Sequence, residues 1–254
     1  MRALLAIAAV AWILAGAAAA QELYVQGEAA SNGPRGVWRL RASASFAGED
    51  AASSLKLYYS ATQDWQFSFA AHADTAGDPA FRGGGFAAKY RFLSRDSHQN
   101  HFRAAVFAQA DAATGDTGAD DFLMGVRRGG GAGLIGTWLS GRTAVSGTAG
   151  YYRAVRRDGR EGLEGNVLPF SVSVGRLLLP REYRSYDQTN LNLYFELVGV
   201  HADGSTRLDL APALQFIVRS RSKIDLSVRA PLAGDLPGGT ERWVFQVAYE
   251  YYFF

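Results

Sequence analysis

The closing stretch WVFQVAYEYYFF (Trp243–Phe254) alternates along its length: Trp243, Phe245, Val247, Tyr249, Tyr251 and Phe253 share one face, and Gln246 and Glu250 fall on the other. A period of two is that of a β-strand, whose successive side chains point to opposite faces. A face of aromatic and branched residues suits lipid, and an opposite face with a carboxylate suits a wet or ion-paired interior. The stretch therefore predicts the membrane-facing last strand of a barrel. It is also the segment expected to engage the barrel-assembly machinery, with Phe253 rather than Phe254 in the outward register.

The same two-faced pattern recurs upstream. In Val37 to Phe46, Trp38, Leu40, Ala42, Ala44 and Phe46 oppose Arg39, Arg41, Ser43 and Ser45. Similar alternation marks Leu55 to Ala61, Trp65 to His72, Phe86 to Phe92, Phe102 to Asp111 and Ile224 to Ala230. Asn190 to Val198 is the clearest case, with Leu191, Leu193, Phe195 and Leu197 against Asn190, Asn192, Tyr194 and Glu196. A sandwich also alternates, but aromatics gathered on the apolar face and charges on the other favour a lipid-facing wall.

Connections fix the parity. Short links are expected at Thr62 to Asp64, Ser94 to Asn100, Gly141 to Arg142, Pro180 to Thr189 and Ser220 to Ser222. Longer outer loops are expected at Ala47 to Ala52, Ala73 to Gly83, Ala113 to Gly130, Arg156 to Asn166, Ala202 to Ser205 and Leu232 to Thr240. Five turns and six loops join twelve strands in an all-β, antiparallel, up-and-down transmembrane barrel, with both chain ends on the periplasmic side. Fourteen strands is the next count and ten the third. The choice turns on Asp121 to Gly133, read as a loop running into the sixth strand, with Gly129-Gly130-Gly131 a flexible part of it.

The start of the chain reads differently. Arg2 precedes an apolar run from Ala3 to Ala15, and Ala18-Ala19-Ala20 stands before Gln21. About 13 apolar residues fall short of the roughly 20 needed to span a bilayer, so residues 1–20 are expected to be a cleaved secretory signal. Residues 21–35 then read as a periplasmic segment and 36–254 as the barrel.

Composition excludes several classes. With no Cys, disulfides, thiolate metal sites and Cys nucleophiles are ruled out. The formal charge is +2, of which Arg2 is the only charge in 1–20, so nucleic acid is not an expected partner. His98 and His101 flank a predicted turn. His72 with Asp74 and Asp78, or His201 with Asp203, fall near predicted outer strand ends, where a protease-like site would need them. Neither arrangement resembles a catalytic set on one strand face, so no catalytic residue, metal or cofactor is expected.

The alternation assigns an inner face. Arg39, Arg41, Lys56, Lys89, Arg91, Arg103, Arg207, Lys223 and Arg229 are its cations, and Asp111, Glu196, Asp209, Asp225 and Glu250 its anions. The surplus predicts a mildly cationic lumen, filled or narrow at about twelve strands, that favours anions modestly. Tyr151, Tyr152, Tyr249, Tyr251, Trp65 and Trp243 are expected in the interfacial girdles.

From about Phe86 to Phe254, two thirds of its length, the chain resembles a group of uncharacterised, transporter-like bacterial outer-membrane barrels. More distantly it is similar to the barrel family named for the MetA pathway of phenol degradation. The segments that carry this are Gly133 to Thr137, Leu178 to Tyr183, Gln188 to Tyr194 and Leu210 to Phe216. The resemblance implies the barrel fold, and it brings no catalytic residues. Together these readings lead to the expectation of a passive channel or transporter for small solutes in a Gram-negative outer membrane, with lipid as its surroundings. A sealed barrel acting through its outer loops is the alternative, and a hydrolase or acyltransferase the third.

Overall fold

The computed structural model describes residues 24–74, 80–97, 100–115, 117–156, 162–182, 188–239 and 242–253. The expected signal, 1–20, lies outside them, as do His98, Asp78 and Phe254.

Twelve strands form the wall. They are β1 (Trp38–Ala47), β2 (Asp50–Ser60), β3 (Trp65–Asp74), β4 (Ala80–Ser97), β5 (Asn100–Ala113) and β6 (Gly129–Ser140). The second half is β7 (Thr143–Ala154), β8 (Gly165–Leu179), β9 (Asn190–Ala202), β10 (Ser205–Val218), β11 (Ser222–Ala233) and β12 (Val244–Phe253). Each pairs antiparallel with its sequence neighbours, and β1 closes the ring on β12 from Trp38↔Phe253 to Phe46↔Phe245. Closure leaves no open sheet edge, which satisfies every strand's hydrogen bonds inside lipid.

The faces separate as alternation requires. On β12, Phe245, Val247, Tyr249 and Phe253 point outward and are exposed, while Ala248 and Glu250 are buried inside. Trp243, just before that strand, is 61% exposed on the outside. At the end of the barrel where β1 begins and β12 finishes, outward rings pair across strands. Trp38 stacks on Tyr59 at 4.5 Å between centroids, and Trp65 meets Tyr90 at 4.8 Å. Such cross-strand pairs make an aromatic girdle at one interface.

Several local expectations change. The connections expected at Ala47 to Ala52 and Ala202 to Ser205 shrink to two residues each, because the strands continue up to the turn. At the second, Asp203 and Gly204 both take positive φ, 50° and 78°, matching the twist of a tight hairpin. Gly129-Gly130-Gly131 is not a flexible loop but the start of β6. The Tyr152 ring of β7 lies against it, and a Cβ on Gly131 would come within 2.7 Å of that ring. Tyr152 is accordingly no girdle residue: it faces inward and is 1% exposed.

Phe122-Leu123-Met124 belongs to neither strand nor irregular loop. Ala119–Met124 form one short helix, α1, in the β5–β6 connection. Asp120 and Asp121 stand in its first turn, where the helix dipole favours carboxylates, and Gly125 ends it at φ 92°. Ala119 and Phe122 bury against Tyr152, Ala154, Val167, Val200 and Leu236, which folds the helix onto the inner wall at the outer end.

Candidate functional site

Residues 24–36 take up most of the stretch read as a periplasmic segment, 21–35. They have no regular secondary structure, and they form an arm inside the barrel. Tyr24 meets Tyr194 edge-on at 5.6 Å, within a cluster of Leu139, Ala144, Leu177 and Ala213. Tyr194 lies there because β8 carries Gly175 beside it, where a Cβ would stand 2.0 Å from the ring. The chain then crosses the lumen and returns to the periplasmic end, where the Asn32 side chain donates to the Gln63 carbonyl and Gly36 N–H to Ser60 O.

Two anchors hold the arm. The first is Glu196 of β9, which is 0% exposed. Its carboxylate accepts the N–H groups of Val25 (2.9 Å), Gln26 (2.8 Å) and Gly27 (2.8 Å), and the Ser173 hydroxyl (2.7 Å). Backbone donors thus take the role of a counter-ion for a buried anion.

The second anchor lies across the ring. The Glu28 carboxylate of the arm accepts from Lys56 Nζ at 2.9 Å and the Tyr58 hydroxyl at 3.0 Å, and Lys89 Nζ is 3.7 Å away. Lys89 also donates to the carbonyls of Ala29 (2.7 Å) and Ser31 (3.0 Å), and Arg103 to the Ser31 hydroxyl (2.8 Å). Burial by itself would push the Glu28 carboxyl up, but Lys56, Lys89 and Arg39 outweigh it and hold it well below the usual carboxylate range.

Elsewhere the wall neutralises itself. Asp225 faces Arg41 (2.5 Å) and Lys223 (3.5 Å), and Glu250 faces Lys223 (3.3 Å), Arg39 (3.5 Å) and Arg41 (3.7 Å). Gln215 donates to Asp225 and accepts from Asn192, which extends this network to β9. At the outer end Asp209 pairs with Arg207 (2.7 Å) and Arg229 (3.1 Å), and Asp120 of α1 lies 3.8 and 3.5 Å from the same two arginines. Paired and hydrogen-bonded in this way, charges can remain where water is scarce.

A cavity of about 960 Å³ runs beside the arm. Arg39, Arg41, Lys56, Lys89, Arg103, Asp111, Lys223, Arg229 and Glu250 line it, together with Glu28 and Gln26 of the arm and Arg127 beside α1. Five residues predicted for the lumen do not border it. Glu196 is covered by the arm, Arg207 and Asp209 are buried under α1, Asp225 is buried between Arg41 and Gln215, and Arg91 pairs with Asp64 of the β2–β3 turn.

The histidines do not assemble. His72 is buried on the inner face of β3. His201, next to the buried Val200 and Ala202, belongs to the outer face of β9, six strands away, and its ring pairs with the Thr206 hydroxyl at 2.7 Å. His101 meets Asp96 at 2.9 Å near the periplasmic turn. No group of three or more His, Asp or Glu residues is placed to hold a metal among the described residues. The arm, Glu28, Gln26 and α1 were not among the residues singled out by alternation, since none lies on a strand.

No family model and no curated protein matches this chain. Solved structures do. The COG4313 outer membrane channel from Pseudomonas putida F1 superposes with a TM-score of 0.60 at 11% identity, over 91% of this chain and 100% of that one. A KdgM porin superposes at 0.54 with 10% identity, over 85% and 99%. A KdgM porin in complex with disordered oligogalacturonate does so at 0.51 with 9% identity, over 86% and 99%. At such identities the likeness is one of architecture, and the chain has the closed-barrel fold found in outer-membrane channels.

Proposed function

We propose that the protein is a passive, non-enzymatic channel for small solutes in the outer membrane of a Gram-negative bacterium, reached after removal of residues 1–20. The observation that carries this reading is the cavity of about 960 Å³, bordered by many charged side chains and surrounded by a wall whose outside is apolar. A wet, charged path inside a lipid-compatible ring is what a narrow diffusion channel requires. The surplus of arginine and lysine on the inner wall gives the path a mildly cationic character. The placement of His72 and His201 on opposite faces of distant strands speaks against a hydrolytic pair at the rim.

The relation to the barrels named for the MetA pathway of phenol degradation belongs to the same proposal, and makes small aromatic solutes sensible first probes. Lipid surrounds the wall in this reading, and β12 is the strand offered to the assembly machinery. The test is reconstitution of the whole chain in planar bilayers and liposomes. Step conductances and solute flux are expected, larger in Glu196→Gln, which loosens the arm. Silence in both proteins would remove the channel reading and leave the sealed barrel, which the arm's passage across the lumen otherwise favours.

A further inference from the structure

We propose that Lys56 and Lys89, with the Tyr58 hydroxyl, form a carboxylate-binding site on the inner wall, and that Glu28 occupies it as a tethered competitor which an acidic solute displaces. This rests on the channel reading and gives it a solute class and a gate.

The asymmetry of the lumen carries the inference. Arg41, Lys223, Arg207 and Arg229 are neutralised by Asp225, Glu250 and Asp209, carboxylates fixed on the same wall. For Lys56 and Lys89, Glu28 is the single carboxylate within ion-pair range among the described residues, and it belongs to the arm. Residues 24–36 of the arm have no regular secondary structure, whereas Asp209, Asp225 and Glu250 sit within hydrogen-bonded strands. The arm's carboxylate can therefore leave, whereas those of the wall cannot.

Leaving has a condition. Lys89 is 7% exposed, and a buried ammonium stripped of its counter-ion is strongly destabilised. Withdrawal of Glu28 is thus coupled to arrival of another anion, and a ligand that binds only the withdrawn state shifts the population toward it. The place is reachable, because the Glu28 side chain is 35% exposed and borders the cavity together with both lysines. Lys56 Nζ and Tyr58 OH already converge on one oxygen and Lys89 approaches the other, the arrangement a solute carboxylate would inherit. A neutral solute of the same size brings no charge to exchange.

The test uses the whole chain with succinate and its neutral counterpart succinamide. In proteoliposomes, Glu28→Gln is expected to raise the succinate-to-succinamide flux ratio about tenfold, equivalent to about 1.4 kcal/mol. Because the native chain has no Cys, a single Gln26→Cys reports the arm by its rate of alkylation with a water-soluble maleimide. Succinate is expected to speed that reaction several-fold, and succinamide to leave it unchanged. Equal effects of the two solutes in both assays, with flux present, would overturn the inference and leave the channel intact. Absence of flux for either solute, in both wild type and Glu28→Gln, would overturn the channel reading as well. Circular dichroism of the variants separates either result from misfolding, and both substitutions lie off the strands.

Discussion

Gly27 and Glu196, 169 residues apart in sequence, meet at 2.8 Å, the backbone N–H of one donating to the carboxylate of the other. Val25 and Gln26 donate to the same group, so one wall side chain fixes three consecutive arm residues. Glu196→Gln removes the charge and turns a donor toward those N–H groups. Loss of charge-assisted bonds of this kind is expected to weaken docking of the arm by about 2 kcal/mol, roughly thirtyfold in its equilibrium. Single-channel recording checks this: longer and more frequent open states are expected, with the strand content of the barrel unchanged.

The Glu28 contact sets a pH window. A carboxyl whose docked value is depressed contributes fully above its free value, about 4.3, and loses that contribution as pH falls through the docked one. Arm docking is therefore expected to be flat between about pH 7 and 5, and to weaken only in stronger acid. Maleimide reactivity of Gln26→Cys, divided at each pH by that of a free thiol to remove the thiolate's own titration, measures it, and a rise in this ratio already at about pH 6, near the reference value of histidine, would point to a histidine instead. In Glu28→Gln the carboxyl's part of the profile is expected to vanish.

A third prediction concerns the floor beneath Tyr24. Gly175→Ala places a methyl 2.0 Å from the native Tyr194 ring and forces that ring aside. Overpacking of this kind typically costs about 1–3 kcal/mol. Thermal unfolding in detergent is expected to show the loss, and the arm cysteine to become more reactive as the Tyr24 cluster opens. Tyr194→Ala in the same background is expected to restore the wall without restoring the arm.

Insertion is predicted to depend on the outward register of the last strand. Phe253 is 49% exposed on the outer face and pairs with Trp38, whereas Phe254 is one residue further on. Phe253→Ser is expected to block appearance of the protein in the outer membrane. Deletion of Phe254 is expected to be tolerated. Fractionation of cells expressing each variant decides the matter.

What could be read from the sequence follows the same physics. The strands were legible because a wall between lipid and a polar lumen imposes a two-residue period, as Asn190 to Leu197 displays. Gly129 to Gly131 misled because glycine usually marks a break, and here it makes room for Tyr152. Phe122-Leu123-Met124 is too short for its helical period to register. The arm was hidden for a different reason: its partners, such as Lys56, Thr137 and Glu196, come from separate strands, and no local pattern announces them. One signal did point there. Nine inward cations against five inward anions call for a carboxylate from elsewhere, and Glu28 supplies it.

A ring of twelve hydrogen-bonded strands fixes its circumference but not its outline, since each strand pair is a hinge along which the ring can flatten. In this barrel a strut spans it. One end is clasped at β9, and the other straddles β3 by gripping β2 and β4, the opposite side of the circle. The same two carboxylates that hold the strut thus also tie opposite sides of the hole together, and neutralising either is expected to free the outline of the wall as well as the arm.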